Sequence, residues 1–180
     1  MSAGWASNLP EGFRLAEAGD ADALAALVNA AYRGGGGWTT EAGLLEGPRI
    51  DAAEVRNLIA AEDSLFLLCL RGDAIIGSVH LKQTDDSAYL GLFVVQPNLQ
   101  GAGIGKRLME EAETFTRKEW GSARIWMTVI TVRPELMAFY ERRGYRRTGR
   151  REPFPEGAGA GRALREDLAL ETLEKDLGAA

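Results

Sequence analysis

A glycine-rich loop between an apolar run and a helix-like run is the feature that most constrains this chain. The loop is Gln100 to Lys106, with the sequence QGAGIGK, and it joins the apolar run Tyr89–Val95 to the helix-like run Lys106–Trp120. Glycines allow close approach of a ligand to the backbone, and a helix start supplies N–H donors and a positive dipole end. Lys106 and Arg107 stand in the first turn, where Asp or Glu is normally favoured. This inversion indicates an anionic ligand.

The spacing of the loop excludes two common phosphate-binding motifs. A Walker A loop would need glycine at position 100 and Ser or Thr at position 107, where the chain has Gln100 and Arg107. A dinucleotide fingerprint beginning at Gly101 would need glycine at position 106, which is Lys106. That fingerprint also belongs near the first strand of a repeated βαβ array, whereas this loop lies beyond the middle of the chain.

Hydrophobic periodicity predicts a mixed α/β domain. Apolar runs and apolar–polar alternation predict strands, and apolar residues every three to four positions predict helices. Strands are predicted at 13–16, 65–70, 74–81, 89–95, 123–130, 145–151 and 164–177. Helices are predicted between Asp20 and Gly34, after Asp51, at 106–120 and at 135–143, with irregular segments at 38–50 and 152–161. A strand–helix–strand unit around the glycine loop predicts that strands 89–95 and 123–130 are parallel neighbours.

Composition narrows the class of protein. We expect a single domain over residues 1–180, with a tail at 1–11, no membrane span and no secretory signal, and therefore a cytoplasmic protein. The one cysteine, Cys69, lies in an apolar run and is interpreted as an inert core thiol. With one histidine, His80, no structural zinc site or other metal site is predicted. The net charge of −5 argues against nonspecific nucleic-acid binding and mildly favours cationic partners such as amines.

The motif Gln100-x-x-Gly103-x-Gly105 resembles the Q/R-x-x-G-x-G/A pyrophosphate loop of the GCN5-related N-acetyltransferases, the GNAT family. Val95-Gln96-Pro97 is similar to that family's V-x-P at the end of its fourth strand, and Pro134 to Tyr145 is similar to its A-x-x-F-Y-E-x-x-G-F/Y helix. The order of elements is also the family's, so the resemblance covers roughly residues 12–177. It implies a GNAT-like mixed sheet of six or seven strands, flanked by about four helices, with a splayed pair of parallel central strands.

The resemblance implies a reaction and its residues. An amine would directly attack the thioester of acetyl-CoA, the donor substrate, in a ternary complex, with the thioester arm along Tyr89–Val95. Backbone groups of Phe93 and Val95 would pair with the pantetheine amides and polarise the carbonyl, and Tyr140 matches the family's general acid for the departing sulfur. The implied cofactor-binding residues are Phe93, Val94, Val95, Gln100, Gly101, Ala102, Gly103, Ile104, Gly105, Lys106 and Arg107.

Two parts of the chemistry stay open. Many relatives carry Asn before the proline of the last helix, whereas this chain has Arg133, which either lacks the contact to the cofactor arm or binds phosphate or acceptor instead. Residues 90–93 offer no carboxylate as a general base. Tentative bases are Glu41 and His80, with a water relay as a third route. Glu41 also fits a surface or capping carboxylate, and His80 also fits a packed or surface histidine.

The acceptor is expected to be a small amine whose identity the sequence leaves open. Segments 34–47 and 154–162 should set specificity, with Trp38 and Phe154 either forming a pocket wall or packing as lids on the sheet. The cluster of arginines at 142–151 is interpreted as solvated, with a contact to the cofactor's 3′-phosphate as an alternative and nucleic acid disfavoured. Exposed sheet edges make a homodimer plausible.

Two other functions are weighed against acetyl transfer. The first is a non-catalytic CoA-binding or regulatory module on the same fold. The second is a nucleotide-binding protein of another class. The loop spacing and the Tyr140 segment together favour the acetyltransferase.

Overall fold

A seven-stranded mixed sheet forms the centre of the computed structural model, which describes residues 9–36, 41–155 and 161–178. The strand order in the sheet is β1-β3-β4-β5-β6-β9-β7, and β2 pairs separately with β8. The strands are β1 (Phe13–Leu15), β2 (Leu45–Glu46), β3 (Ser64–Arg71), β4 (Ala74–Gln83), β5 (Ser87–Val95), β6 (Arg124–Ile130), β7 (Arg146–Pro153), β8 (Arg162–Ala163) and β9 (Ala169–Asp176). The helices are α1 (Ala21–Arg33), α2 (Ala52–Ala60), α3 (Ile104–Trp120) and α4 (Pro134–Glu141).

The helices cover the two faces of the sheet, each over its own apolar core. Helices α1 and α2 pack on one face against residues such as Phe66 and Leu68 of β3. Helix α3 packs on the other face, where Leu108 and Met109 meet Leu67 of β3 and further strand residues. Strand β3 is therefore buried on both faces, as its continuous apolar run predicted. The predicted mixed sheet with its flanking helices is confirmed.

The parallel strands β5 and β6 separate shortly after they begin. Their pairing runs over three residue pairs, from Ser87 with Arg124 to Tyr89 with Trp126. Strand β5 continues to Val95, while β6 continues alongside β9. Beyond Tyr89, the peptide edge of β5 that would normally pair with β6 faces open space. The splay therefore opens a gap in the sheet. The predicted splayed parallel pair is confirmed.

A β-bulge in β5 changes which side chains face each side of the sheet at this gap. Leu92 has φ of 44°, and it is the one non-glycine residue with positive φ in the described part of the chain. Before the bulge, Ala88 and Leu90 face the core beneath α3, whereas after it Leu92 and Val94 face the core beneath α1 and α2. The bulge therefore exchanges the two faces of the strand at the place where the strands part.

Two sequence predictions about the edges of the domain are wrong. The segment 38–50, predicted as irregular, contains β2, whose Leu45 pairs with Ala163 of β8. The strand predicted over 164–177 begins only at Ala169, and the residues before it form an exposed turn in which Arg165 and Asp167 make an ion pair. Alternation alone cannot distinguish such a polar turn from the start of a strand.

No helix within the described ranges is both long and apolar enough to cross a bilayer.

The arginines of β7 lie at the edge of the large sheet, where Arg147 and Arg151 both donate to the carboxylate of Glu171 on β9. This pairing holds the pKa of Glu171 below its usual range. Part of the arginine cluster thus has a structural partner within the sheet.

Candidate active site

A cavity of about 620 Å³ opens between the end of β5, the glycine loop and α4. Gly101 and Gly103 adopt φ of 85° and 79°, values that L side chains rarely adopt, and Gly103 is the N-cap of α3. Gly105 has an ordinary helical conformation, and an added Cβ there would reach the Phe93 ring at 3.4 Å. Two glycines are therefore needed by the turn itself, while Gly105 keeps the helix start open to a ligand.

The structure brings most of the predicted cofactor-binding residues to this cavity. The residues that line it are Phe93, Val94, Val95, Gln100, Gly101, Gly103, Gly105 and Lys106. Gln100 also ties the loop to the strand, because its Nε2 donates to the carbonyl oxygen of Val95 at 3.2 Å. Three predicted residues lie elsewhere: Ala102 is exposed and Ile104 is in the core. Arg107 places its guanidinium over the ring of Phe13, 5.4 Å from the centroid.

Helix α4 supplies the opposite wall and adds positive charge. Arg142 and Arg143 line the cavity together with Lys106 of the glycine loop. The guanidinium of Arg143 lies 3.4 Å from the ring centroid of Phe139, and it donates to the carbonyl oxygen of the same residue at 2.7 Å. The cavity therefore combines backbone donors, three cations and an apolar floor, which suits a ligand with phosphates and an extended arm.

A second cavity of about 250 Å³ lies on the other side of the gap between β5 and β6. It is bounded by residues of β5 and β6, by Leu45 of β2 and by Phe154, which follows β7. The residues that line both cavities are Tyr32, Phe93, Arg133, Leu136 and Tyr140. The two cavities therefore meet at the splay, with Tyr140 at the junction.

Tyr140 is held rigidly at this junction. It is 6% exposed and packs edge-on against the rings of Phe139 and Tyr145, at centroid distances of 5.3 and 5.9 Å. Burial is the main cause that raises the pKa of Tyr140 above its ordinary value. Its hydroxyl is therefore protonated at neutral pH, the state in which it can donate a hydrogen bond.

Glu41 lines the second cavity and lies between two arginines. Arg33 donates to its Oε2, and Arg133 donates to its Oε1 at 3.4 Å. Its main-chain N–H donates to the carbonyl oxygen of Tyr32 at 2.9 Å, which returns the chain to the end of α1. Glu41 is 5% exposed, so this Arg–Glu–Arg group is a buried link between α1 and the start of α4.

His80 lies outside both cavities. Its Nε2 is 2.7 Å from the hydroxyl oxygen of Ser64, and its ring packs on Phe66. Burial lowers the pKa of His80 to about 4, and the positive charges of Lys82 and Arg49 add to this effect. Of the two tentative bases, the structure brings Glu41 to the site and leaves His80 in the sheet.

Several cavity residues carried no signal in the sequence. Tyr32 lies in the last turn of α1, Arg49 follows β2, and Tyr89 folds back over Gly91, where an added Cβ would come within 2.7 Å of its ring. In the sequence, Gly91 is only a glycine within a predicted strand, and nothing there indicates its contact with Tyr89. The positions of Tyr32 and Arg49 depend on how distant segments pack together in the fold. Of the two aromatic residues predicted at the acceptor site, Phe154 lines the second cavity, and Trp38 lies outside the described residues.

No cluster of three or more His, Cys, Asp or Glu side chains suited to a metal ion is found among the residues the structure describes. Cys69 is buried, as predicted, and burial raises the pKa of its thiol.

Several solved structures that share this fold are described as N-acetyltransferases. The ribosomal-protein-S18-alanine N-acetyltransferase from Escherichia coli is 16% identical with a TM-score of 0.71, and 93% of this chain and 94% of that chain are covered. PaiA N-acetyltransferase from Thermoplasma acidophilum, solved with coenzyme A, is 21% identical with a TM-score of 0.69, at 91% and 97% coverage. A chimera of spermidine N-acetyltransferase SpeG from Vibrio cholerae and hSSAT is 17% identical with a TM-score of 0.69, at 92% and 94% coverage.

At these low sequence identities, the structural similarity shows a shared fold alone. No curated protein sequence matches the chain. The sequence does match the family described as Acetyltransferase (GNAT) domain over residues 42–172, which is most of the chain. The glycine loop, the splayed strands and this match agree, and the chain belongs to the GNAT acetyltransferase family.

Proposed function

We propose that this protein transfers the acetyl group of acetyl-CoA to a primary amine of a small molecule. The observation that carries the proposal is the meeting of two cavities at Tyr140, where β5 and β6 part. One cavity fits a phosphate-bearing donor with a long arm, and the other has room for a compact acceptor. An arrangement of this kind allows direct attack in a ternary complex, because both reactants reach one junction at the same time.

The donor would be held mainly by backbone groups. The N–H groups at the start of α3 would bind the pyrophosphate, with Lys106 beside them. Lys106 is 63% exposed and pairs with Glu110 at 3.8 Å, so its side chain can turn toward a phosphate at little cost. Along β5, the peptide groups of Phe93 and Val95 would pair with the amides of the arm, as β6 would otherwise do. The same edge would polarise the thioester carbonyl.

Tyr140 would act on the departing sulfur. A thiol has a pKa of about 8.5, and the pKa of Tyr140 is raised by burial, so full proton transfer to the thiolate is uphill. Donation of a hydrogen bond to the developing thiolate is therefore its main contribution, with the proton following late. This role agrees with the position of Tyr140, which lines both cavities.

Removal of the amine proton would go through water. Both carboxylate oxygens of Glu41 accept hydrogen bonds from arginines, and His80 lies outside the cavities. With both of its oxygens engaged by guanidinium groups, Glu41 is suited to holding Arg133 in place. We propose that Glu41 positions Arg133 at the junction and that a water molecule accepts the proton.

The test is an acetylation assay with a matched pair of tyrosine variants. Acetyl-CoA is offered with a panel of amines, and free thiol release is followed. Tyr140→Phe should lower kcat by about 100-fold, the low end for loss of a general acid, with the affinity for CoA unchanged. Tyr145→Phe is the control, because Tyr145 is buried beside Tyr140 and lines neither cavity. It should retain wild-type turnover.

Two outcomes would contradict the proposal. Tight CoA binding with no turnover on any amine would favour the non-catalytic CoA-binding module. Thermal stabilisation by ATP or NAD, but not by acetyl-CoA, would favour a nucleotide-binding protein of another class, because a ligand that binds the native state raises its apparent stability.

A further inference from the structure

The wall of the second cavity is positively charged, although the whole chain is acidic. The charged side chains among the described residues of this wall are Arg49, Arg133 and Glu41. Arg33 lies behind Glu41 and donates to its carboxylate. Arg33 and Arg133 both donate to the Glu41 carboxylate, Arg133 also lies 3.9 Å from the carboxylate of Glu135, and Arg49 adds a further guanidinium group to the wall, in contrast to the net charge of −5 of the chain.

The positive potential acts on the groups around the cavity. Burial raises the pKa of Tyr32 to about 12; among the nearby charges, the guanidinium groups of Arg49 and Arg133 act to lower it and the carboxylate of Glu41 acts to raise it. Arg49 lies 5.6 Å from the ring centroid of Tyr32, and Arg133 is only 7% exposed. The charge of Arg133 is weakly screened because it has so little access to water, and the partly exposed Arg49 adds to it at the same wall.

This potential has opposite effects on two kinds of substrate group. A primary amine reaches the site mostly as an ammonium ion, and positive charge nearby lowers its pKa and favours the neutral, nucleophilic form. A second ammonium group on the same molecule, as in a polyamine, would be repelled without any benefit. A carboxylate on the acceptor would be attracted, because guanidinium groups bind carboxylates with paired hydrogen bonds.

The size of the cavity limits the rest of the acceptor. A space of about 250 Å³ holds a single compact molecule, and its walls include the apolar side chains of Phe154 and Leu170 and the ring of Tyr89. We propose that the acceptor is a small molecule that carries a carboxylate as well as the reactive amine, as an α-amino acid does. Arg49 and Arg133 recognise the carboxylate. This inference rests on the proposed acetyl transfer and specifies its substrate class.

Matched substrate pairs test the inference without any variant. Phenylalanine is compared with phenethylamine, and histidine with histamine, at saturating acetyl-CoA, with a linear diamine as a third substrate. Each pair differs by the carboxylate alone. The kcat/KM of the amino acid should exceed that of its decarboxylated partner at least about tenfold, because a site built to bind a polar group rejects the analogue that lacks it.

Arg49→Gln provides the second measurement. It should lower the ratio of kcat/KM between the amino acid and its amine at least about tenfold, mainly through the KM of the amino acid. Arg150→Gln is the control, since Arg150 is an exposed arginine of β7 that lines neither cavity, and it should leave the ratio unchanged. A general loss of folded protein would lower both rates together and would not change the ratio.

The outcomes separate this inference from the proposed function. Faster acetylation of the decarboxylated amine or of the diamine would overturn the carboxylate inference and leave the acetyltransferase standing. Acetyl-CoA binding with no acetylation of any substrate would overturn both. Selectivity for amino acids that survives Arg49→Gln unchanged would overturn the assignment of Arg49.

Discussion

The buried imidazole of His80 should make the protein less stable in mild acid. His80 is the only histidine of the chain and is 5% exposed. Burial lowers its pKa from 6.5 to about 4, and nearby Lys82 acts in the same direction. In the unfolded chain it would titrate near 6.5, so between these values the unfolded state binds a proton that the native state does not.

The magnitude follows from these two pKa values. The stability is fully present above the unfolded value of 6.5 and is lost progressively as the pH falls through the window down to about 4. The full difference corresponds to about 3 kcal/mol of unfolding free energy, of which about 2 kcal/mol is lost by pH 5. Most exposed carboxylates titrate below this pH, so the slope between pH 7.5 and pH 5 reports mainly on the histidine.

Urea unfolding at pH 7.5, 6.5, 5.5 and 5.0 measures this slope. His80→Gln is the matched control, because it keeps a polar group beside Ser64 and removes the titration. The variant should lose the pH dependence across this range. Since the chain has one histidine, a single imidazole signal can be followed by NMR in the folded protein. An imidazole that titrates near 6.5 in the native state would refute the reasoning.

Two further substitutions test the charged link and the glycine loop. Glu41→Gln should lower the unfolding free energy by about 3–5 kcal/mol, because it leaves the guanidinium groups of Arg33 and Arg133 buried without their counter-ion. Glu46→Gln, in an exposed ion pair, should lower it by less than about 1 kcal/mol, as measured by urea unfolding. Gly103→Ala forces a side chain into φ of 79°, which should cost about 1–2 kcal/mol and weaken CoA binding measured by calorimetry.

Each of these substitutions has a contradicting result. Equal stability losses for Glu41→Gln and Glu46→Gln would show that burial does not decide the effect. Gly19→Ala is the control for the loop, because Gly19 has no positive φ and an added Cβ there meets nothing within 4 Å. Equal losses for Gly19→Ala and Gly103→Ala would contradict the argument from the left-handed conformation.

The cavity at the glycine loop could be predicted because its signals are local in the sequence. Strand β5, the glycine loop and the start of α3 follow one another directly, so their contacts are decided by neighbouring residues. Turn geometry at Gly101 and Gly103 is a property of the chain over a few positions. The sequence does not show which of the two adjacent cations of the first turn, Lys106 or Arg107, faces the ligand. The prediction for Arg107 missed for this reason.

The second cavity could not be predicted from the sequence, because it is assembled from distant segments. Arg133 reaches Glu41 across 92 positions, and β2 and β8, which are separated by more than a hundred residues, pair at its margin. A two-residue strand has no periodicity to detect. The sequence did indicate that segments 34–47 and 154–162 flank the cleft, and the pairing of β2 with β8 places the described parts of both segments side by side.

The opposite charge of the chain and of its acceptor cavity follows from this difference in construction. The net charge of −5 is a sum over every charged residue of the chain, and water and salt screen the exposed ones from a substrate that has entered the cavity. Arg49 and Arg133 come from separate segments, and the fold brings them to one wall, with Arg33 behind Glu41. Under the proposed function, these local charges would decide which acceptor binds and how readily its amine loses a proton. Acceptor preference in this chain should be changed by substitutions at Arg49 and hardly at all by changes in surface charge.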